Sequence, residues 1–249
     1  MLTQQTLQTL RDLRLSGMAD AYAAQVQDPE LQTLSFDERL GLLVDREWSA
    51  RQSRRLARRL HEAKLRLPAA IEDIDFTSPR GLDRAVIRSL AEGRWIREHQ
   101  NLLISGPTGA GKTFLACALA HAACRQGFTT RYYRVARFLG ELALAKADGS
   151  APQLLVKLAK TDLVVLDDWG LATLTASDAR DLLEVIDDRH LTRSTLVASQ
   201  VPVADWHATI ADPSIADAIL DRLVHTAHKL HLKGESMRKV QAKSKASGG

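Results

Sequence analysis

The sequence predicts an α/β fold, a parallel sheet with helices on both faces, preceded by a small all-helical domain. Three observations predict it. From Asn101 onward, short apolar strand-like runs alternate with helical patterns, as parallel strands joined by crossover helices require. From Leu2 to Leu67 the apolar residues recur only at helical spacing. Between the first strand and the helix behind it stands Gly106-Pro107-Thr108-Gly109-Ala110-Gly111-Lys112-Thr113, of the form G-x-x-x-x-G-K-[ST], a turn whose backbone N–H groups cradle a polyphosphate.

The elements follow in order. Leu7, Leu10 and Leu13, then Met18 and Tyr22, then Leu40, Leu43 and Val44 mark amino-terminal helices. Ser16-Gly17 and Asp28-Pro29 divide them, and Ser35 with Glu38 three residues on reads as a capping box. The long helix opened there is expected to run to Leu67 and to end at Pro68. Strands are expected at Asn101–Ser105, Thr130–Val135, Leu163–Leu166, Ser194–Ser199 and Lys229–Leu232. Helices are expected over 112–126, over 136–160 as two pieces broken at Gly149–Pro152, and over 177–191 and 214–226. The domains are then 1–67, helical, for DNA binding or oligomerisation; 68–80, a linker; 81–238, the α/β core; and 239–249, a basic disordered tail.

In a chain of 249 residues, one α/β core and a smaller appendage fit. The first residues lack a basic segment followed by an apolar stretch, and no run approaches the roughly 18 apolar residues of a membrane span. A cytoplasmic protein without a membrane partner is expected. Cys117 and Cys124, the two cysteines, lie seven apart on the helix after the loop, a spacing for small buried side chains rather than for metal or redox chemistry.

The phosphate loop assigns its own chemistry. Residues 106–113 (Gly106, Pro107, Thr108, Gly109, Ala110, Gly111, Lys112, Thr113) surround the phosphates of a nucleoside triphosphate, Lys112 reaches the β/γ-phosphates and the Thr113 hydroxyl ligates Mg²⁺. Leu163–Leu166 then delivers Asp167 and Asp168 about fifty residues later. Asp167 is expected to hold the Mg²⁺ shell and Asp168 to polarise an attacking water. Gln200 closes the following strand, either as an ordinary polar terminus or between the second carboxylate and the γ-phosphate. Arg222 in Asp221-Arg222-Leu223 and Arg238 near the end of the core are either surface salt-bridge residues or cations for developing phosphate charge.

The net charge of +4 is unevenly placed. Segment 51–66 carries seven basic residues against Glu62, and segment 229–249 six against Glu235. On one continuous helix, Arg51, Arg54, Arg55, Arg58, Arg59 and Arg66 fall within an arc of about 140°, with Leu56, Leu60, Ala63 and Leu67 on the opposite flank. Arginine forks suit phosphate oxygens, so a duplex DNA backbone, read without base identity, is the expected partner. No interleaved aromatics suggest stacking on single strands.

These residues resemble a known family, the IstB-type insertion-sequence ATP-binding proteins, AAA+ ATPases close to the DnaC helicase loaders. The resemblance rests on Leu15–Ala19, Leu34–Leu40, the arginine-rich helix, Gly106–Thr113, Leu166–Gly170, Ser199-Gln200, Asp221–Leu223 and Gly234–Arg238. It implies an ATPase that uses ATP and Mg²⁺, associates with itself on DNA, and helps a partner transposase, of the IstA type, to select target DNA. It further implies that Gln200 is a sensor, Arg222 a finger offered to a neighbour's ATP and Arg238 a second sensor. AAA+ proteins usually carry Glu where Asp168 stands, and the shorter carboxylate implies slow hydrolysis or a need for assembly. The lid is also reduced, since only a short stretch follows Arg238. A DnaC-like helicase loader is the near alternative. A P-loop small-molecule kinase is the distant one, since it would need an acceptor pocket and an arginine-rich lid over the phosphates.

Overall fold

The computed structural model describes residues 2–234 and 237. The chain forms two compact units, one running through Arg58 and one starting at Arg59.

The first unit is helical: α1 (Leu2–Asp12), α2 (Ser16–Gln27), α3 (Pro29–Gln32) and the greater part of α4 (Phe36–Ala63). Each boundary has a local cause. Asp28 caps α3 by accepting from Glu30 N at 3.0 Å. Ser35 and Glu38 form the expected capping box, with Ser35 N donating to Glu38 Oε2 at 2.8 Å and Glu38 N to Ser35 Oγ at 3.3 Å. Gly17 lets α2 lie against α4, because a Cβ there would meet Ala50 Cβ at 2.8 Å. Where α2 starts, Glu47 accepts from Met18 N at 3.1 Å.

The long helix departs from expectation. It stops at Ala63 rather than Leu67, and Pro68 is not the cause. Lys64 adopts φ 51°, a left-handed residue that no helix continues through. The expected linker 68–80 is also built into the second unit, with Ala69 and Ile74 buried in the same core as the first strand.

The second unit continues with α5 (Arg84–Ala91), α6 (Arg94–Arg97), β1 (Asn101–Ser105), α7 (Lys112–Arg125), β2 (Thr130–Arg134), α8 (Val135–Asp148), α9 (Ala151–Lys160), β3 (Leu163–Trp169), α10 (Ala176–Arg189), β4 (Ser194–Ser199), α11 (Pro213–Val224) and β5 (Ala227–His231). The last strand begins two residues before its expected start. All pairings are parallel, in the order β2-β3-β4-β1-β5.

Strand residues alternate between two cores, as a pleated strand covered on both faces must. Leu102, Ile104, Val165, Leu196 and Ala198 face the layer containing α7, while Leu103, Val164, Leu166 and Val197 face α8, α10 and α11. The alanines of α7, among them Ala116, Ala118, Ala120 and Ala123, are small enough to seat that helix closely on the sheet. Cys117 and Cys124 are free and fully buried there, and burial pushes both thiols above their ordinary range, away from reactivity. Among the described residues no helix is long and apolar enough to cross a membrane.

Candidate functional site

At the carboxyl ends of β1, β3 and β4, where open parallel sheets bind ligands, the second unit has a cavity of about 500 Å³. Its wall includes the phosphate loop, Asp167, Asp168 and Gln200, and also Arg66, Arg80 and Arg134.

The loop conformation depends on its glycines. Gly106, Gly109 and Gly111 have φ of 146°, 84° and 97°, which L side chains rarely adopt. A Cβ on Gly106 would stand 2.4 Å from Leu232 O, and one on Gly111 would stand 2.8 Å from Arg80 Nη1. The loop is therefore wedged between the chain's carboxyl-terminal segment and a buried arginine. Lys112 Nζ donates to Gly106 O at 2.7 Å and to Pro107 O at 2.9 Å. Burial lowers the Lys112 pKa, and Asp167 and Asp168 oppose that shift.

Asp167 is the hub. Its Oδ2 accepts from Thr113 Oγ1 at 2.7 Å and from Tyr132 OH at 2.6 Å, and its Oδ1 accepts from the Asp168 backbone N–H at 2.9 Å. A hydroxyl and a carboxylate so placed are the hard oxygen donors that Mg²⁺ takes, so Thr113 and Asp167 would hold it. Among the described residues no group of three or more His, Cys, Asp or Glu side chains could hold an ion unaided.

Asp168 occupies a left-handed conformation, φ 62°, where the β3–β4 register shifts, a costly geometry for a non-glycine residue. Its Oδ2 takes two guanidiniums, Arg134 Nε at 2.7 Å and Arg66 Nη1 at 3.5 Å. The carboxylate expected to orient water is thus engaged by cations. On the opposite wall Gln200 Oε1 accepts from Thr108 Oγ1 at 2.6 Å.

With this geometry in place, comparison with known proteins decides the family. A family described as IstB-like ATP binding protein matches residues 8–246. The chain belongs to that family. It is 50% identical over 97% of its length to an insertion sequence ATP-binding protein of Sinorhizobium fredii, covering 98% of that relative. It is 52% identical over 86% of its length to the insertion sequence IS1162 ATP-binding protein of Pseudomonas fluorescens, covering 93% of it. Among solved structures, the DnaC helicase loader superposes with a TM-score of 0.57 at 19% identity, covering 69% of this chain and all of that one, so the IstB-like core has the P-loop AAA+ fold.

The IstB-like fold does not gather every expected site residue. Arg222 lies away from the phosphate cavity, on α11, where its Nε meets Asp187 Oδ1 at 2.5 Å and its Nη1 donates to Ala218 O at 2.9 Å. Arg238 lies outside the described residues. The chain just before it reaches the loop, since Met237 N donates to Gly109 O at 2.9 Å.

The arginine helix is shorter than expected, ending at Ala63. Arg66 lies beyond its end and lines the phosphate cavity instead. Glu47, one turn upstream of the basic segment, neutralises two of the others, with Arg51 Nε at 2.7 Å and Arg54 Nη2 at 3.3 Å. Arg55 and Arg58 are exposed and make no ion pair among the described residues.

Three site residues gave no motif signal. Tyr132 and Arg134 sit at the end of β2, where the Tyr-Tyr-Arg run could have been read as a strand delivering polar groups to the ligand edge. Arg80 is buried, donating from Nη1 to Ala110 O at 3.3 Å and from Nη2 to Asp75 O, while its Nε is buried without a partner. Only tertiary packing could have revealed it.

Proposed function

We propose that this IstB-like chain is an ATP-hydrolysing DNA-binding protein that assembles on duplex DNA and assists a transposase in choosing target DNA. The observation that carries the reading is the Thr113–Asp167 hydrogen bond, 2.7 Å, beside Asp168 and beneath the phosphate loop. Residues 106–113 hold the phosphates, and Lys112 exchanges the Gly106 and Pro107 carbonyls for β/γ-phosphate oxygens. Thr113 and Asp167 would hold Mg²⁺, which would supply neutralisation of phosphate charge. A water oriented by Asp168 attacks the γ-phosphorus in line, the bond to the β–γ bridging oxygen breaks, and ADP and phosphate leave with the water proton passing to the carboxylate. Gln200 stands where it can report the γ-phosphate through Thr108. Arg222 leaves Asp187 to serve a neighbouring subunit's ATP, and Arg238, outside the described residues, keeps the second-sensor role that the resemblance implies.

Arginines on α4 bind the DNA backbone, and the relatives' printed names, insertion sequence ATP-binding proteins, support a role in transposition. The test is ATP turnover by the purified chain with and without duplex DNA, joined to negative-stain imaging with a slowly hydrolysed ATP analogue. Turnover and nucleotide-dependent assemblies on DNA are expected. A chain that hydrolyses nothing even with duplex present would refute the ATPase.

A further inference from the structure

Helix α7 opens at Lys112, so the N–H groups of Thr113 and Phe114 have no acceptor within the helix. At the helical spacing of four residues their acceptors would be Gly109 O and Ala110 O, in the phosphate loop. Each of those carbonyls is engaged from outside instead. Met237 N donates to Gly109 O at 2.9 Å, and Arg80 Nη1 donates to Ala110 O at 3.3 Å. Two donors distant in the chain thus hold the carbonyls onto which the first turn of α7 could close, leaving Thr113 and Phe114 N–H for phosphate oxygens. The segment that delivers Met237 is stitched to the site by main chain alone. Leaving β5, Leu232 N donates to Ser105 O at 2.8 Å and Lys233 N to Arg80 O at 2.9 Å. Gly234 follows with φ 87°, where a Cβ would stand 2.9 Å from Pro79 O. All of these residues belong to the second unit.

We propose that Met237 is a positioning residue of the nucleotide site, acting through its backbone N–H, which holds Gly109 O outward and keeps the phosphate loop in the shape that admits a polyphosphate. The inference rests on the nucleotide-binding reading above, and on neither hydrolysis nor DNA. A loop that closes part of the time binds more weakly by the fraction of time it is open. The Met237 contact raises that fraction without touching the ligand. By linkage, bound nucleotide tightens the Met237 contact in turn. The effect belongs to the main chain, so it is separate from any role of the Arg238 side chain.

The experiment compares Met237→Pro, which has no N–H to give, with Met237→Leu, which keeps it, in the full chain with and without Arg238→Ala. Calorimetric titration with ATP and with ADP, both with Mg²⁺, should show the proline variant weaker than the leucine variant by about fivefold for either nucleotide, the loss of one hydrogen bond. The same factor should persist beside Arg238→Ala. Equal affinities of the proline and leucine variants overturn the proposal. So does a loss that disappears beside Arg238→Ala, because proline would then act through the arginine. A second measurement needs no proline: in the chain carrying Arg238→Ala alone, ATP should slow hydrogen exchange at the Met237 N–H by about threefold or more. Exchange indifferent to ATP overturns the proposal even if Met237→Pro fails to fold. A wild-type chain that binds neither ATP nor ADP overturns the nucleotide reading and this inference with it, whereas the other outcomes strike only the contact.

Discussion

The Tyr132 hydroxyl donates to Asp167 Oδ2 at 2.6 Å. That oxygen also receives Thr113, so Tyr132 fixes the carboxylate rotamer from behind while Thr113 approaches from the ligand side. Burial, then the neighbouring Asp167, pushes the tyrosine pKa far upward, so it remains a donor throughout the working pH range. Groups that hydrogen-bond a metal-holding carboxylate from behind tune metal affinity about 10–100-fold. Tyr132→Phe should therefore raise the Mg²⁺ concentration needed for half-maximal turnover by about tenfold, with a stability loss of about 1 kcal/mol from the missing hydrogen bond. A magnesium titration and a thermal melt check both.

Gly106 offers a sharper test of the loop. Alanine there meets the Leu232 carbonyl at 2.4 Å and must also hold φ 146°. Backbone cannot yield as a side-chain tip can. Gly106→Ala should cost about 1–3 kcal/mol and remove nucleotide binding. Gly149→Ala, whose Cβ would meet nothing within 4 Å but whose φ is 80°, should cost about 1 kcal/mol while leaving binding intact. Equal losses of binding in the two variants would show that the close approach to Leu232 is unimportant.

Lys112 gives the pH dependence. Burial lowers its pKa in the folded chain, so the charged form is disfavoured by folding at pH values below the folded pKa, and that penalty vanishes as pH rises through the ordinary lysine range. Bound phosphate acts in the opposite sense and favours the charged form. ATP affinity should therefore decline on the alkaline side earlier than an ordinary lysine would dictate. Lys112→Arg, which cannot deprotonate, should remove that decline even if its overall affinity is lower. Affinity against pH for the two chains is the measurement.

Much of the core was legible because each strand is short, apolar and bounded by turn residues, and because the phosphate loop fixes which strand precedes which helix. The break between α8 and α9 followed from Gly149 and Pro152. The end of α4 was not legible. Lys64 has no sequence signature of a left-handed residue, and Pro68 offered a false terminus four residues too late, which carried Arg66 onto the wrong surface. Arg80 and Glu47 were equally hidden, since each acts through a partner distant in the chain or on a neighbouring turn. Asp167 with Thr113 was legible because the phosphate-loop pattern and an apolar strand ending in carboxylates specify each other.

The buried fork of Arg80 ties Ala110 of the loop to Asp75. Lysine would keep a charge but could not make two divergent bonds. Arg80→Lys should weaken ATP binding about tenfold, reading the loss of about one charge-assisted hydrogen bond. A melting temperature that falls while ATP affinity is unchanged would make Arg80 a packing residue only. Calorimetric titration with ATP and a melt without it separate the outcomes.

The pairing of Arg51 and Arg54 with Glu47 divides the arginine face into neutralised and free charge. A phosphate can gain from Arg51 or Arg54 only by competing with a carboxylate whose side chain is 7% exposed, whereas Arg55 and Arg58 meet no such competitor. Arg55→Ala with Arg58→Ala should therefore weaken duplex binding more than Arg51→Ala with Arg54→Ala. Because each neutralised phosphate contributes about 0.9 to the slope of log affinity against log salt, the first pair should reduce that slope by about two and the second by less than one. Glu47→Gln should move the other way, strengthening binding by releasing two guanidiniums. Equal slopes for the two double variants would mean that the ion pairs with Glu47 open freely on DNA and that the whole arc acts as one surface.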